Sequence, residues 1–324
     1  MLTSDFRNFV KGVSARVNEI IDETINLVPN FQQTGLWKTQ QSDGLVYRTQ
    51  GVTGFAYLEQ FDENGRIKND KTYEAYQTEY VMKQFGLNTE ISQMLMKTRE
   101  SELESKLSEV RQHRIAVARS LDKHAWQVLV DSFSTSDSST NFPTYRLGDG
   151  VALYSDSHPS LVTGVSNRSN RLSGDPLLTE ANLFTAVKTV EEQLNGRGLP
   201  IGYAGEYALV VPPALRKTAI EITKSDQRSG TANNDTNFFT YTGGTMDVIS
   251  NVYLGAANGG SDTAWYVFAK ANEMNSMRYV SLIEPKIEQR QDFFTKTLNV
   301  SVDGSWAFGY SNFEMTAASD GTND

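Results

Sequence analysis

Three histidines, no cysteine and one Ser-Asp-Ser-His run are the residues from which this 324-residue chain could build chemistry. His113 and His124 stand eleven residues apart in a stretch of helical periodicity. Eleven steps return a helix to nearly the same face but about 16 Å further along, too far for both rings to hold one metal. They read as partly exposed helix residues. Ser155-Asp156-Ser157-His158 sets the residue types of a hydrolytic triad side by side. Triads are assembled from distant positions, and the chain has no Gly-X-Ser-X-Gly elbow. Gly243-Gly244 and the glycines from Gly255 to Gly260 lack the Lys-Ser/Thr of a phosphate loop and open no helix. Without cysteine there are no disulfides, thiolate zinc sites or thiol nucleophiles. Glu100, Glu102, Glu104 and Glu109 read as a solvated helix face. The expectation is a protein with no active site, no metal and no other cofactor.

The elements around these residues are more informative. Thr98 to Ser134 reads as one long helix. Leu103, Leu107, Val110, Val117, Leu121 and Val128 form an apolar stripe, which Ala118, Trp126, Leu129 and Phe133 widen. Ser101 with Glu104 has capping-box spacing, and Glu102 precedes Lys106 by four. No Gly or Pro interrupts the run, which predicts an unkinked helix from Ser101 to Phe133. Such a helix is roughly 50 Å long, as long as a compact globule of this chain is wide. It reads as the spine of a flat or elongated protein, a coiled-coil segment being the alternative.

Gly44 to Leu87 reads as two arms of about 20 residues around a tight turn at Asp62-Glu63-Asn64-Gly65. Tyr73, Ala75, Val81, Phe85 and Leu87 fall on one face, and Tyr76, Tyr80 and Met82 on the other. An isolated two-stranded ribbon is marginal in water, so this one needs a surface to lie on. Its own domain or a neighbouring subunit could supply that surface.

Elsewhere the pattern predicts an amphipathic helix over Ser4–Leu27, a short helix over Asn88–Lys97, and a capped helix over Thr179–Leu194. A buried strand is expected at Tyr207–Val211 and a helix at Ala214–Thr223. Further strands are expected near Met246–Leu254, Ala264–Ala269, Arg278–Ile283, Lys286–Gln291, Thr297–Val302 and Ala307–Met315. The fold class is α+β. The net charge is −9, which disfavours gripping a phosphate backbone. No stretch is apolar enough to cross a bilayer, and Met1 to Phe9 carries no export pattern.

The order of parts resembles the major capsid proteins of tailed bacteriophages, the Hong Kong phage fold. The residues that carry the likeness are Phe85–Met96 before the spine, the spine itself, Asp149-Gly150-Val151-Ala152-Leu153-Tyr154 with His158-Pro159, and Leu209 to Leu215. The order looks most like the head proteins of Mu-like phages. The resemblance implies an N-terminal arm at 1–36 and an extended loop at 37–88 that lies over an adjacent subunit. It implies a peripheral domain at 89–200, an axial domain at 201–284, and C-terminal strands at 285–324 that return to the peripheral domain. Intersubunit contacts are then expected at Asp62, Glu63, Arg66, Lys68, Asp70, Tyr73, Tyr76 and Tyr80. The implied function is a structural subunit of an icosahedral head, assembled in the host cytoplasm from hexamers and pentamers of itself. A separate scaffolding protein, a portal and in some relatives a decoration protein are the implied partners. The enclosed double-stranded DNA is not specifically bound, and no membrane is involved. Some relatives crosslink through a Lys and an Asn, and Lys68 and Asn69 lie near the ribbon tip. The alternatives are an encapsulin-type nanocompartment shell, and a soluble hydrolase using Asp156 and His158.

Overall fold

The computed structural model describes residues 15–17, 30–61, 65–67, 69–92, 100–203, 205–225, 237–241, 246–270, 276–292, 294–295 and 297–322, the side chains of 100–103 and 241 excepted. The helix expected over Ser4–Leu27 lies outside these residues apart from a helical turn at 15–17.

The chain folds around two sheets that meet at the spine. The first sheet holds, in spatial order, β1 (Trp37–Gln41), β9 (Met277–Gln291), β10 (Leu298–Tyr310) and β4 (Lys83–Ile91), with short β5 (Thr144–Tyr145) against the end of β10. β9 and β10 are an antiparallel hairpin, β4 is antiparallel to β10, and β1 is parallel to β9. The second sheet holds β11 (Thr316–Ser319), β8 (Trp265–Ala269), β6 (Tyr207–Val211) and β7 (Met246–Ser250). A third, two-stranded sheet is a ribbon of β2 (Val46–Val52) with β3 (Glu74–Val81), which pairs with neither of the other two.

The second sheet is covered on both faces, which explains its unbroken apolar strands. Alternation divides β6 and β8 between two cores. Ala208, Val210, Tyr266 and Phe268 face the spine, together with Trp126, Leu129 and Tyr154. Tyr207, Leu209, Val211, Trp265 and Val267 face helix α3 (Glu180–Glu191), together with Leu183, Val187 and Val190. Thr179 caps α3 by accepting the Asn182 N–H, as the sequence predicts. Pro213–Leu215 is a short 3₁₀ turn, and the α-helix that follows is α4 (Arg216–Lys224).

The spine helix α2 runs unbroken over Glu100–Val130. Ser101 lies inside it rather than capping it. The helix ends three residues before Phe133, where Asp131 gathers donors from Gln127, Ser138 and Thr144. Leu107 and Val110 pack on Ile91, Leu298 and Val300, while Leu121, Ala125 and Trp126 pack where the sheets meet. Asp122, buried on the same helix, accepts the Phe31 N–H of the short helix α1 (Asn30–Gln33) at 2.9 Å. Burial pushes its carboxyl pKa up, against the lowering effect of that bond.

Three expectations are corrected. Asn88–Lys97 is not a helix: up to Ile91 it belongs to β4, whose outer face carries Asn88 and whose inner face carries Thr89 and Ile91; residues 93–99 lie outside the described set. The strands expected at Arg278–Ile283 and Lys286–Gln291 are one strand, and Thr297–Val302 continues to Tyr310. Pro285 and Gly304 face each other at a bulge, where Glu284 and Pro285 oppose Gly304 alone, and a Cβ on Gly304 would sit 3.0 Å from Pro285 Cα.

The third correction concerns the spine histidines, which are buried rather than partly exposed. His113 meets the Thr89 hydroxyl at 2.8 Å. His124 sits among Phe85, Phe142 and Phe308. Its Nδ1 accepts from Trp306 Nε1, and its Nε2 donates to the Pro143 carbonyl at 3.0 Å, which fixes the neutral tautomer. Burial pushes its pKa down to about 4, helped by Lys83, while Pro143 and Asp137 act the other way. The unfolded ring titrates near 6.5. The stabilisation from keeping the ring neutral is therefore complete above about pH 6.5 and is lost as pH falls toward about 4, roughly 3 kcal/mol in all. Denaturant unfolding at pH 7 and pH 4.5 should show that loss, and His124→Asn should flatten the slope by about one proton.

Candidate functional site: the ribbon and its anchors

β2 and β3 pair from Val46↔Val81 to Val52↔Glu74. The ribbon is shorter than the two arms of about 20 residues expected, because β1 and β4 at its flanks belong to the main sheet. One face of β3 is turned into the body. Tyr80 is 0% exposed and packs with Met82, Val280 and Ala307, flanked by Tyr47 and Tyr145. Thr78 donates to the Tyr310 carbonyl at 3.2 Å. Gly148 N–H donates to the Gln77 carbonyl at 3.0 Å, and a Cβ on Gly148 would lie 2.6 Å from that oxygen, so only glycine fits. The other face carries Glu79 and Val81 outward.

Beyond the paired segment the described residues show their apolar side chains to solvent. Eleven of the eighteen exposed large hydrophobics among the described residues lie between Leu45 and Leu87. Phe55, Tyr57, Phe61 and Ile67 are more than half exposed, and Leu58 is as exposed as in an open chain. Scattered exposed hydrophobics are ordinary, but a concentration in one projecting segment marks an interaction surface.

The base of this segment is tied to its own body by a charged clasp. Asp70 forms an ion pair with Arg197, with Nη2 to Oδ1 at 2.8 Å. Asp70 also accepts the N–H of Ala56 at 2.7 Å and of Lys71 at 2.9 Å. The Arg197 guanidinium and these amides hold its carboxyl pKa well below the usual range. Arg197 lies over the Tyr73 ring, 5.7 Å from the centroid. Thr53 exchanges two hydrogen bonds with Tyr73 and presses on Gly196, where a Cβ would come within 2.8 Å of its methyl. A cavity of about 510 Å³ lies between this root and the body, lined in part by Val52, Tyr76, Arg168 and Phe313. Arg197→Ala should release the clasp: amide exchange at Ala56 and Lys71 should speed up, with little change in Tm, as hydrogen-exchange mass spectrometry would read.

Of the expected contact residues, Asp62, Glu63 and Lys68 lie outside the described residues. Arg66 is exposed. Tyr73 is about half exposed and Tyr76 half buried against the main core. Asp70 is engaged by Arg197 of its own chain. Tyr80 is withdrawn, because a side chain sealed in its own subunit's core cannot touch a neighbour. Sequence reading passed over Phe55, Tyr57, Leu58 and Phe61, although the run GFAYLEQF is apolar without a core-forming period. Arg197 gave no signal, standing 127 residues from Asp70.

The Ser-Asp-Ser-His run builds no hydrolytic site. His158 is 1% exposed, its ring stacked on Phe313 at 3.6 Å. Its Nδ1 meets Asp149 Oδ2 at 2.7 Å, and its Nε2 meets Asn170 Oδ1 at 3.1 Å. Asn170 Nδ2 donates to the Leu153 and Phe313 carbonyls, which fixes its oxygen toward His158. Both ring nitrogens are engaged by side chains of the fold and the ring is buried, so the histidine is built into the loop rather than presented to a substrate. Its acidic partner is Asp149, not Asp156. Among the described residues no three metal-ligating side chains cluster, and no helix is long and apolar enough to cross a membrane.

No protein of curated function matches the sequence. In structure the chain is similar to the mature capsid of bacteriophage PhiM1, at 13% identity and TM-score 0.50, over 87% of this chain and 83% of that one. It is similar to the capsid of cyanophage P-SCSP1u at 14% identity and TM-score 0.50, over 90% and 87%. These likenesses carry the fold, that of tailed-phage capsids. Residues 75–318, from the ribbon's second strand to the last strand of the second sheet, match the phage capsid protein family. The chain belongs to that family and is a shell-forming structural subunit.

Proposed function

We propose that this chain is the major head subunit of a tailed phage and that its ribbon works by lying on the next subunit of the shell. The observation that carries this is the crowding of exposed apolar side chains into one projecting segment whose base is clasped to its own body. A segment held at its root and bare at its tip is suited to reach a partner. Arg66 and Tyr73, with Asp62, Glu63 and Lys68, would border that contact, and Phe55, Tyr57, Leu58 and Phe61 would fill it. In this reading the spine and first sheet form the peripheral domain, the second sheet with its helices forms the axial domain, and the long C-terminal hairpin returns to the spine.

The Asp149-to-Tyr154 and His158-Pro159 segment supports kinship with Mu-like head proteins. The subunit has a structural role and performs no catalysis. A separate scaffolding protein and a portal would guide assembly in the host cytoplasm, and a decoration protein would add to the finished surface. A net charge of −9 suits a wall that encloses DNA without gripping it. Negative-stain microscopy of the purified chain tests the reading. Closed shells or rings of capsomers are expected; discrete monomers at all concentrations would overturn it.

A further inference from the structure

We propose that the segment Glu59-Gln60-Phe61-Asp62-Glu63 of a neighbouring copy adds as a strand to the open edge of β7. The proposal rests on the shell reading above and names the surface on which the ribbon lands. β7 is the last strand of the second sheet and, among the described residues, pairs with β6 alone. Asn251 N–H donates to the Val211 carbonyl, and the parallel register carries the same pattern back through residues 249 and 247. Val248 and Ser250 therefore turn their N–H and C=O groups away from β6. No described residue hydrogen-bonds to these four groups. An open edge of this kind is a template for a further strand.

The groove beside that edge selects the strand. It holds about 500 Å³ and is lined by Arg216, Ile220 and Lys224 of α4 with Val248 and Ile249 of β7. The three α4 residues are exposed and four apart, so they form one stripe, cation–apolar–cation, about 12 Å from end to end. Arg216 and Lys224 have no ion partner among the described residues. Lys270, also in the groove, is neutralised by Asp247, and Lys217 by Glu221. On a strand every second side chain shares a face, so residues i, i+2 and i+4 span about 13 Å. The matching partner is therefore an extended acid–X–apolar–X–acid segment. In this chain that pattern occurs twice, at Glu19-Ile21-Glu23 and at Glu59-Phe61-Glu63. The first lies in a run of helical period, where i and i+4 are only about 6 Å apart. The second lies in the ribbon's exposed run, with Glu59 and Phe61 both exposed.

In this contact Glu59 and Glu63 meet the two unpaired cations, and Phe61 covers Ile220. The pattern reads the same both ways, so the match holds in either strand direction. A second β7 is a poorer occupant, because a two-fold pair of these edges would set Arg216 and Lys224 beside the same two cations. The ribbon and the β7 edge are different surfaces. Each copy gives one strand and accepts one, an arrangement that closes into a ring.

Charge exchange tests the pairing. Arg216→Glu with Lys224→Glu should raise the concentration needed for assembly about tenfold, since two attractive pairs per contact become repulsive. Adding Glu59→Lys and Glu63→Lys should restore it, with circular dichroism confirming that both variants are folded. Wild-type shells with no effect of the first variant, or no rescue by the second, would overturn the pairing. A second readout does not need shells. The chain has no cysteine, so Phe61→Cys and Ile220→Cys variants each carry a single thiol. A short bifunctional thiol crosslinker should join the two variants when they are mixed, and give far less dimer from either alone. A chain carrying both changes should give covalent multimers. An internally closed monomer, or no product, would overturn the pairing between copies. A wild type that forms no shells, beside variants that crosslink when mixed, would count against the shell reading and not against the pairing.

Discussion

Replacing Phe55, Leu58 and Phe61 together with serine is expected to abolish shell formation while leaving the subunit folded. All three are more than half exposed, so their removal takes almost nothing from the subunit's own core. Surface changes away from buried features usually alter stability by about 0.5 kcal/mol or less, and Tm should move little. The loss falls on the contact. Fully burying one such side chain contributes about 1.5–3 kcal/mol, so three together represent about 4–9 kcal/mol per contact before ordering costs. Even the lower figure is about a thousandfold in pairwise affinity. A closed shell repeats the contact in every copy, which leaves no surviving route to assembly. Light scattering and negative-stain microscopy would read assembly, and thermal melting would read the fold. A triple variant that forms shells at the wild-type concentration would show that the segment is not an assembly element. A variant whose Tm collapses would show that these side chains are covered by their own chain.

The two sides of this experiment were unequally legible in the sequence. The spine was readable because a 31-residue amphipathic helix needs only local periodicity, and Tyr207–Val211 because an apolar run stopped by two prolines has few alternatives. The alternation along β3 was readable too, but not which face is buried. That depends on Tyr145, Val280 and Ala307, which arrive from elsewhere in the chain. β4 was misread because Asn88 and Thr89 look like helix caps in isolation, and only pairing with β10 makes them strand residues. The strands expected to stop at Ile283 and Val302 run on, because pairing between β9 and β10 continues through a bulge where Pro285 meets Gly304. The clasp between Asp70 and Arg197 lies beyond any local pattern. The burial of the histidines is not legible in the sequence, since a histidine's exposure depends on which tertiary partners meet both ring nitrogens.

Breaking the His158–Asp149 pair is expected to have the opposite signature to the ribbon variant: a chain that loses fold stability rather than one that only fails to assemble. Both side chains are 1% exposed, and the pair is closed over by Phe313, Asn170 and the loop that holds them. Asp149→Ala leaves the Nδ1 proton without an acceptor. His158→Ala leaves a carboxylate without its donor and opens a space over the Phe313 ring. Removing one partner of a buried pair costs about 3–5 kcal/mol, a large part of a total stability of about 5–15 kcal/mol. Asp149→Asn keeps an acceptor for Nδ1 but loses the charge, so a smaller loss of about 1–3 kcal/mol is expected. The double alanine variant should lose less than the sum of the single ones, because no buried charge is then left alone. The damage should also reach the ribbon. Arg168 pairs with Glu314 and lies 4.6 Å over the Phe313 ring, and these three residues line the cavity at the ribbon's root. Loosening the histidine therefore loosens the floor on which Thr53 and Tyr76 rest. Denaturant unfolding of the four variants reads the stabilities, and limited proteolysis between Thr53 and Tyr73 reads the ribbon. If His158→Ala melts like the wild type and resists protease equally, the pair holds nothing, and the stack on Phe313 with the Arg168 ion pair must position the loop alone.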